Sequence, residues 1–333
     1  MDDLRLDGTR ASGVTPPTAA RGIGPVAVLG AALLWGTVGP AQVLAASDAD
    51  PGALGVARLL IGGVALAAIS SRGMVWRQLL RKDVIGWLLL AALATGIYQV
   101  AFMHAVDQLG AALGTAIALG VAPVVTGICA RWWTHDRMTL GWAAGTAAAI
   151  IGCTVLLDPW GADGVAATGV AVALVSGACY GVYTVAAKRF LSTGVPALPA
   201  TSFTLILAGI LLSPIIVLHP GHLADAESLL LIGWIGLAGT ALAYALFVYG
   251  LGRTTAPVAG TLSLAEPLLA AVLGVVVLQE QLTGTALIGC ALMIVGLVAV
   301  TVIDARRGRS PATRRMQDDH AVGPAEQPLC NAQ

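Results

Sequence analysis

Runs of about twenty apolar residues fill this chain, and they leave it few ways to fold. Hydrocarbon offers a backbone no hydrogen-bond partners, so such runs read as membrane-spanning helices. Ten qualify, at about 25–46, 52–70, 84–105, 111–130, 139–157, 165–187, 197–218, 229–250, 256–278 and 284–303, numbered here as spans 1 to 10. The balance of residue types agrees: 57% are hydrophobic and 11% charged, against about 25% charged in soluble domains. The fold class expected is all-α integral membrane. Residues 1–23 and 305–333 are polar, rich in Pro, Arg and Asp, and read as disordered tails. The first apolar run is too long for a signal-peptide core and is expected to be retained as a helix.

The basic residues orient the spans. Seventeen of the eighteen Lys and Arg fall in the two tails or in alternate loops, such as Arg72, Arg77, Arg81 and Lys82, then Arg131 and Arg137, then Lys188 and Arg189, then Arg253. The intervening loops, for example "ASDAD" at 46–50 and "HPGHLADAES" at 219–228, have none. Both termini are therefore expected on the cytoplasmic side of the inner, or plasma, membrane. Net charge is zero, so nothing in the total points to a nucleic-acid partner. Four of five cysteines lie inside apolar runs, in no pattern suited to a disulfide framework or a metal site.

The two halves repeat. At an offset of 144, Pro123 falls on Pro267, Asp136 on Glu280, Thr139 on Thr283, Gly145 on Gly289 and Gly152 on Gly296. Near the front the offset is 145 and Gly36 falls on Gly181. Each half, 24–158 and 164–304, holds five spans. An odd number of crossings turns the second half upside down, which gives ten transmembrane helices as two inverted five-helix repeats. Secondary transporters are commonly built this way, with the cargo site at mid-membrane where helices are interrupted. Pro123 and Pro267 occupy matching mid-span positions and are the expected helix kinks.

Several segments resemble the EamA type of the drug/metabolite transporter superfamily. They are "LLWGTVGP" at 33–40, "GVARLLIGG" at 55–63, "ACYGVYTVAAKRF" at 178–190, and the stretch 266–296 that opens "EPLLAAVLG". The resemblance covers about 24–304. It implies a central cavity lined mainly by spans 1, 3, 4, 6, 8 and 9, and movement of small metabolites, often outward. Amino acids and amine-bearing or cationic drug-like compounds are the cargo classes it implies. The segment "RWWTHDRMT" at 131–139 departs from the family pattern, so Asp136 takes no role from it.

Two charged residues lie clearly inside the membrane, Glu266 and Arg58. A charge at mid-bilayer costs on the order of 3 kcal/mol on insertion scales, and such residues usually serve a function. Glu266 is the candidate to meet cargo or a coupling proton, against an internal pair with Arg58. Arg58 is a candidate for a cargo carboxylate, against a structural side chain that reaches the interface on its long stem. Trp35, Tyr98, Gln99, Tyr180 and Tyr244 are candidate lining residues; the ordinary alternative is helix packing. Tyr183 and Tyr249 lie near span ends and suit an interfacial belt. His104 reads as interfacial, against a proton relay; the His-x-x-His of the "HPGH" loop lacks the further ligands a metal site needs; and Glu280 reads as a turn-holding residue. The spacing of Gly141 and Gly145, and of Gly284, Gly289 and Gly296, reads as close packing between repeats or across a homodimer face.

No P-loop motif G-x-x-x-x-G-K-[ST] occurs, so the expectation is a secondary transporter with no cofactor, protons being the candidate coupling ion. Two other classes compete. An intramembrane lipid-modifying enzyme needs clustered His, Asp or Glu at headgroup depth; a non-transporting sensor needs a sensing domain. The sequence favours neither.

Overall fold

A computed structural model of the protein describes residues 19–70, 76–136, 138–158, 166–279 and 281–307. Arg137, Glu280 and most of both expected tails lie outside them. Among the described residues all regular structure is helical. Nine helices there are long and apolar enough to cross a membrane: Ile23–Ala45, Pro51–Ser70, Lys82–Trp133, Leu140–Leu157, Ala167–Ser192, Ala197–Leu218, Ala226–Leu251, Ala256–Val276 and Gly284–Ala305. The third holds 52 residues, or about 78 Å at 1.5 Å per residue, more than twice a bilayer core. Gly110 interrupts it with φ 78° and ψ 162°, a conformation in which a Cβ is poorly tolerated. Beyond Gly110 the chain doubles back, because Gly114 packs on the Ala105 carbonyl. The long helix is therefore two spans, 82–109 and 111–133, and the ten expected spans are all present.

The packing shows that the repeats are inverted. Gly145 of span 5 sits on the Gly296 carbonyl of span 10, and Gly152 sits on the Gly289 carbonyl. Numbers rise along one helix as they fall along the other, so the two run antiparallel. Gly145 is the repeat equivalent of Gly289, and Gly152 of Gly296. Exchanging the repeats therefore maps the contact onto itself, as a two-fold axis in the membrane plane requires. A second pair obeys the same symmetry. Gly36 of span 1 lies against the Glu266 carbonyl of span 9, and Gly181 of span 6 lies against the Ala122 carbonyl of span 4.

These glycines act through close approach. A Cβ on Gly296 would stand 2.5 Å from the Gly145 carbonyl oxygen, and one on Gly152 would stand 2.5 Å from the Met293 nitrogen. Without a hydrophobic drive between helices in lipid, such backbone contact is a main source of adhesion. The other principal pairings are span 1 on span 8, span 2 on span 7, and span 6 along the hairpin of spans 3 and 4. Buried Ser and Thr hydroxyls find partners locally or across repeats, for example Thr126 donating to Ala122 O at 2.7 Å, Ser202 to Gly63 O at 2.8 Å, and Thr146 pairing with Thr261 at 2.9 Å.

Candidate functional site

Three spans depart from the α-helix where they meet at the centre of the bundle. Span 1 is α-helical over Ala19–Gly36, turns at Thr37, and resumes over Val38–Ala45. The Thr37 hydroxyl donates to Leu34 O at 2.7 Å and accepts from Trp234 Nε1 at 3.1 Å. Span 8 holds a π-helical stretch, Leu237–Leu242, in which Thr240 donates to Ile235 O at 2.8 Å. Span 9 is two half-helices, Ala256–Leu262 and Glu266–Val276, joined by a 3₁₀ turn over Ser263–Ala265. Pro267 has no N–H to continue the ladder across that turn. Span 4, by contrast, keeps helical dihedrals through Pro123. Wide turns and split helices are frequent where membrane proteins bind cargo.

The break in span 9 puts Glu266 at the first position of its second half-helix. Amide dipoles at such an end favour an anion. Glu266 is half-buried, and among the described residues no hydrogen bond or salt bridge engages its carboxylate. Arg58, from span 2, is half-buried as well, and its Nε is wholly buried without a hydrogen-bond partner. Its Cα lies beside Gly236, just before the π-helical stretch. The field of Arg58 acts on Glu266. Both charges act on the hydroxyls of Tyr98 and Tyr244. The four groups thus lie within electrostatic range of one another, and no salt bridge joins Glu266 to Arg58.

Aromatic rings pack around these groups. The Trp35 indole is the hub, with ring centroids 6.3 Å from Tyr180, 5.6 Å from Tyr244 and 5.5 Å from Phe247. Tyr98 lies 5.9 Å from Tyr180 and stacks on Phe102 at 5.8 Å. Tyr183 meets Tyr244 at 5.7 Å and Phe247 at 6.2 Å. Trp35, Tyr183, Tyr244 and Phe247 are buried, whereas Tyr98, Gln99 and Tyr180 are half-buried. The buried group forms a closed aromatic floor, and the half-buried residues border it. The Tyr180 hydroxyl donates to Ser263 Oγ at 2.7 Å, which ties span 6 to the 3₁₀ turn. Gln99 lies against Gly55, one helical turn before Arg58.

All seven candidate cargo-contacting residues, Trp35, Arg58, Tyr98, Gln99, Tyr180, Tyr244 and Glu266, therefore sit at or beside one centre. Tyr183 is a correction. Its position near a span end suggested an interfacial belt, but it is 2% exposed and belongs to the floor. Tyr249 does lie at the surface, 41% exposed, with the Arg253 guanidinium 3.5 Å above its ring. Phe247, Tyr183 and Ser263 were missed as site residues. Each lies three residues from a residue that was singled out, so helical spacing would have found them. The loop His222 pairs with Asp225 at 2.8 Å, and that hydrogen bond raises its pKa.

The fold and this centre define a class: a polytopic membrane protein with inverted repeats around a broken-helix site. The profile of the EamA-like transporter family matches residues 22–158 and 167–302, and the chain belongs to that family. It is 36% identical over 285 residues to the uncharacterized transporter YwfM of Bacillus subtilis, covering 82% of this chain and 92% of that one. It is 36% identical over 149 residues to the threonine/homoserine exporter RhtA of Salmonella typhimurium, covering 44% of this chain and 50% of that one. A crystal structure shares the fold, with a TM-score of 0.74 at 23% identity, over 85% of this chain and 98% of its own. The protein is thus a multi-pass integral membrane transporter.

Proposed function

We propose that this protein exports small zwitterionic metabolites, amino acids foremost, by alternating access of its two repeats. One observation carries the reading: Glu266 and Arg58 lie inside the bundle within electrostatic range of each other, without a salt bridge between them. An α-amino acid offers an ammonium to the first and a carboxylate to the second. Binding would satisfy both intramembrane charges, which an empty site leaves at a cost of several kcal/mol. The threonine/homoserine exporters that share half of the chain support that cargo class. The alternation of basic loops supports an orientation with both termini in the cytoplasm, and hence an inner-membrane exporter. A transport role leaves no need for catalysis.

A second reading is favoured by the rings around Glu266. Trp35, Tyr98, Tyr180 and Tyr244 could hold an amine-bearing or cationic drug-like compound through cation–π contact. Arg58 discriminates the two. Efflux is measured from loaded cells carrying wild type, Glu266→Gln or Arg58→Gln at matched membrane abundance. A zwitterion requires both charges, so each variant should lose efflux of the same amino acid by about tenfold or more. Loss with Glu266→Gln but retention with Arg58→Gln would select the cationic reading. Full efflux of an exported cargo by both variants would remove the site. Proton coupling through Glu266 adds one expectation: wild-type efflux rises with an imposed proton gradient, and Glu266→Gln no longer responds.

A further inference from the structure

A second polar cluster lies at the end of the bundle that carries the basic loops, away from the central site. Lys188, near the end of span 6, donates from Nζ to the carbonyl oxygens of Leu251 at 2.7 Å and Thr254 at 2.6 Å. These are carbonyls at and just beyond the end of span 8, where a helix has no internal donors left to offer. The Thr254 hydroxyl donates in turn to Asp304 Oδ2 of span 10 at 3.0 Å. The carboxylates whose fields act on Lys188 are those of Asp136 and Asp304.

Spans 6 and 8 also carry much of the aromatic floor. Tyr183 meets Tyr244 and Phe247, and Tyr180 meets Phe247 at 6.5 Å. Rings and ammonium therefore hold the same two helices together, the rings at mid-membrane and Lys188 nearer the basic end. The repeat supplies a built-in control. Spans 1 and 3 are the counterparts of spans 6 and 8, at the opposite end. There the offset of 145 puts Val43 in the place of Lys188, and Val43 is 63% exposed. Among the described residues no side-chain hydrogen bond or ring contact joins spans 1 and 3. Among the described residues the charged fastening thus lies at one end only; the acidic-loop end has neutral links, Thr168 Oγ1 to Gln108 Oε1 and Ser47 with Ser228, both at 2.7 Å.

We propose that Lys188 is a one-sided latch: it holds the basic end shut and makes the conformation open toward the acidic-loop end the resting state. The proposal rests on the alternating-access reading above. Opening the basic end parts span 6 from the end of span 8. That movement strands an ammonium and two carbonyls at once, whereas the side-chain links at the other end, Ser47 with Ser228 and Thr168 with Gln108, are neutral. An exporter with this bias returns to face the cytoplasm, after releasing its cargo, only when a coupling ion offsets the cost.

The test reads conformation and uses no cargo. Ala259, Ser263 and Glu266 lie on one face of span 9 by helical spacing, and Ala259 is fully buried beneath the floor. The full chain carrying Ala259→Cys is labelled in vesicles with a membrane-impermeant maleimide applied from the basic side, and labelling is read on the peptide that spans the position. Adding Lys188→Met should speed that labelling by about tenfold, the effect of removing a charge-assisted hydrogen bond from one of two states. Lys188→Arg keeps a charged donor and should label close to the parent. Equal rates with Lys188 and Lys188→Met would overturn the latch, leaving Lys188 as a cap on span 8. If Lys188→Met fails to reach the membrane, Asp304→Asn, which loosens Thr254, should give a smaller acceleration; none would equally overturn the proposal. Because labelling needs no substrate, an error in the cargo assignment would not disturb the result.

Discussion

The first half of span 9 and its counterpart in span 4 make the same crossing in opposite directions, yet they live in different surroundings. All ten residues from 256 to 265 are buried. Of the equivalent residues 112 to 121, only Gly114, Ala116, Ala118 and Leu119 are. The sequences differ little in kind: both are rich in Ala, Gly, Leu and Thr, with Pro257, Val258 and Ser263 in one and Ile117 and Val121 in the other. Burial at one end comes from what packs there. Trp142 donates from Nε1 to Pro257 O at 3.2 Å, Thr146 pairs with Thr261, and the aromatic floor lies alongside. A symmetric scaffold thus holds an asymmetric state, closed at its basic end, which is what alternating access demands of two inverted repeats.

Substitution at matched positions is the strongest way to break this comparison. Ala256 is fully buried, and its counterpart Ala112 is exposed. Ala256→Leu should lower stability by about 1–3 kcal/mol through overpacking, while Ala112→Leu should stay within about 0.5 kcal/mol. Thermal denaturation of the two variants in detergent, read by a thiol-reactive dye, checks both. Similar losses would mean that the two halves are alike in the membrane.

Tyr183 sharpens the comparison from within the floor. Its hydroxyl is buried and lacks a hydrogen-bond partner, a costly arrangement. Tyr183→Phe removes the stranded group and keeps the ring, so the same melting measurement should show a gain of up to about 1 kcal/mol. A loss would reveal a partner supplied by cargo or by water, and would make Tyr183 part of the binding site.

The smallest effect is expected in the acidic-side loop. His222 is exposed, and Asp225 raises its pKa by accepting a hydrogen bond. The pairing therefore contributes below the ordinary imidazole pKa and is lost as pH rises through the raised value. NMR titration of the His222 ring should place its midpoint above the ordinary value, and Asp225→Asn should return it. Melting of the bundle should not follow, because solvent screens so exposed a pair.

Much of this protein was legible in one dimension. Apolar length gave the spans, since hydrocarbon accepts little else than a helix. The offset that aligns Gly145 with Gly289 and Gly152 with Gly296 gave the inverted repeat. The expense of an intramembrane charge singled out Glu266 and Arg58. Periodicity could not separate span 3 from span 4 as cleanly as the positive φ of Gly110 does. Position along a span also misread Tyr183, because a ring near a helix end can point inward as readily as outward.

What a local pattern determines is therefore the set of helices, their pairing by symmetry, and the residues too polar for lipid. Each follows from a balance struck one segment at a time between the backbone, the side chain and the bilayer. Tertiary structure alone decided which rings became floor, that Arg58 and Glu266 lie within electrostatic range without pairing, and that Lys188 finds two carbonyls at and just beyond the end of span 8 while Val43 lies exposed. Those outcomes depend on distances between spans far apart in the chain. Helices fixed separately by their contact with lipid can still be brought together in more than one way.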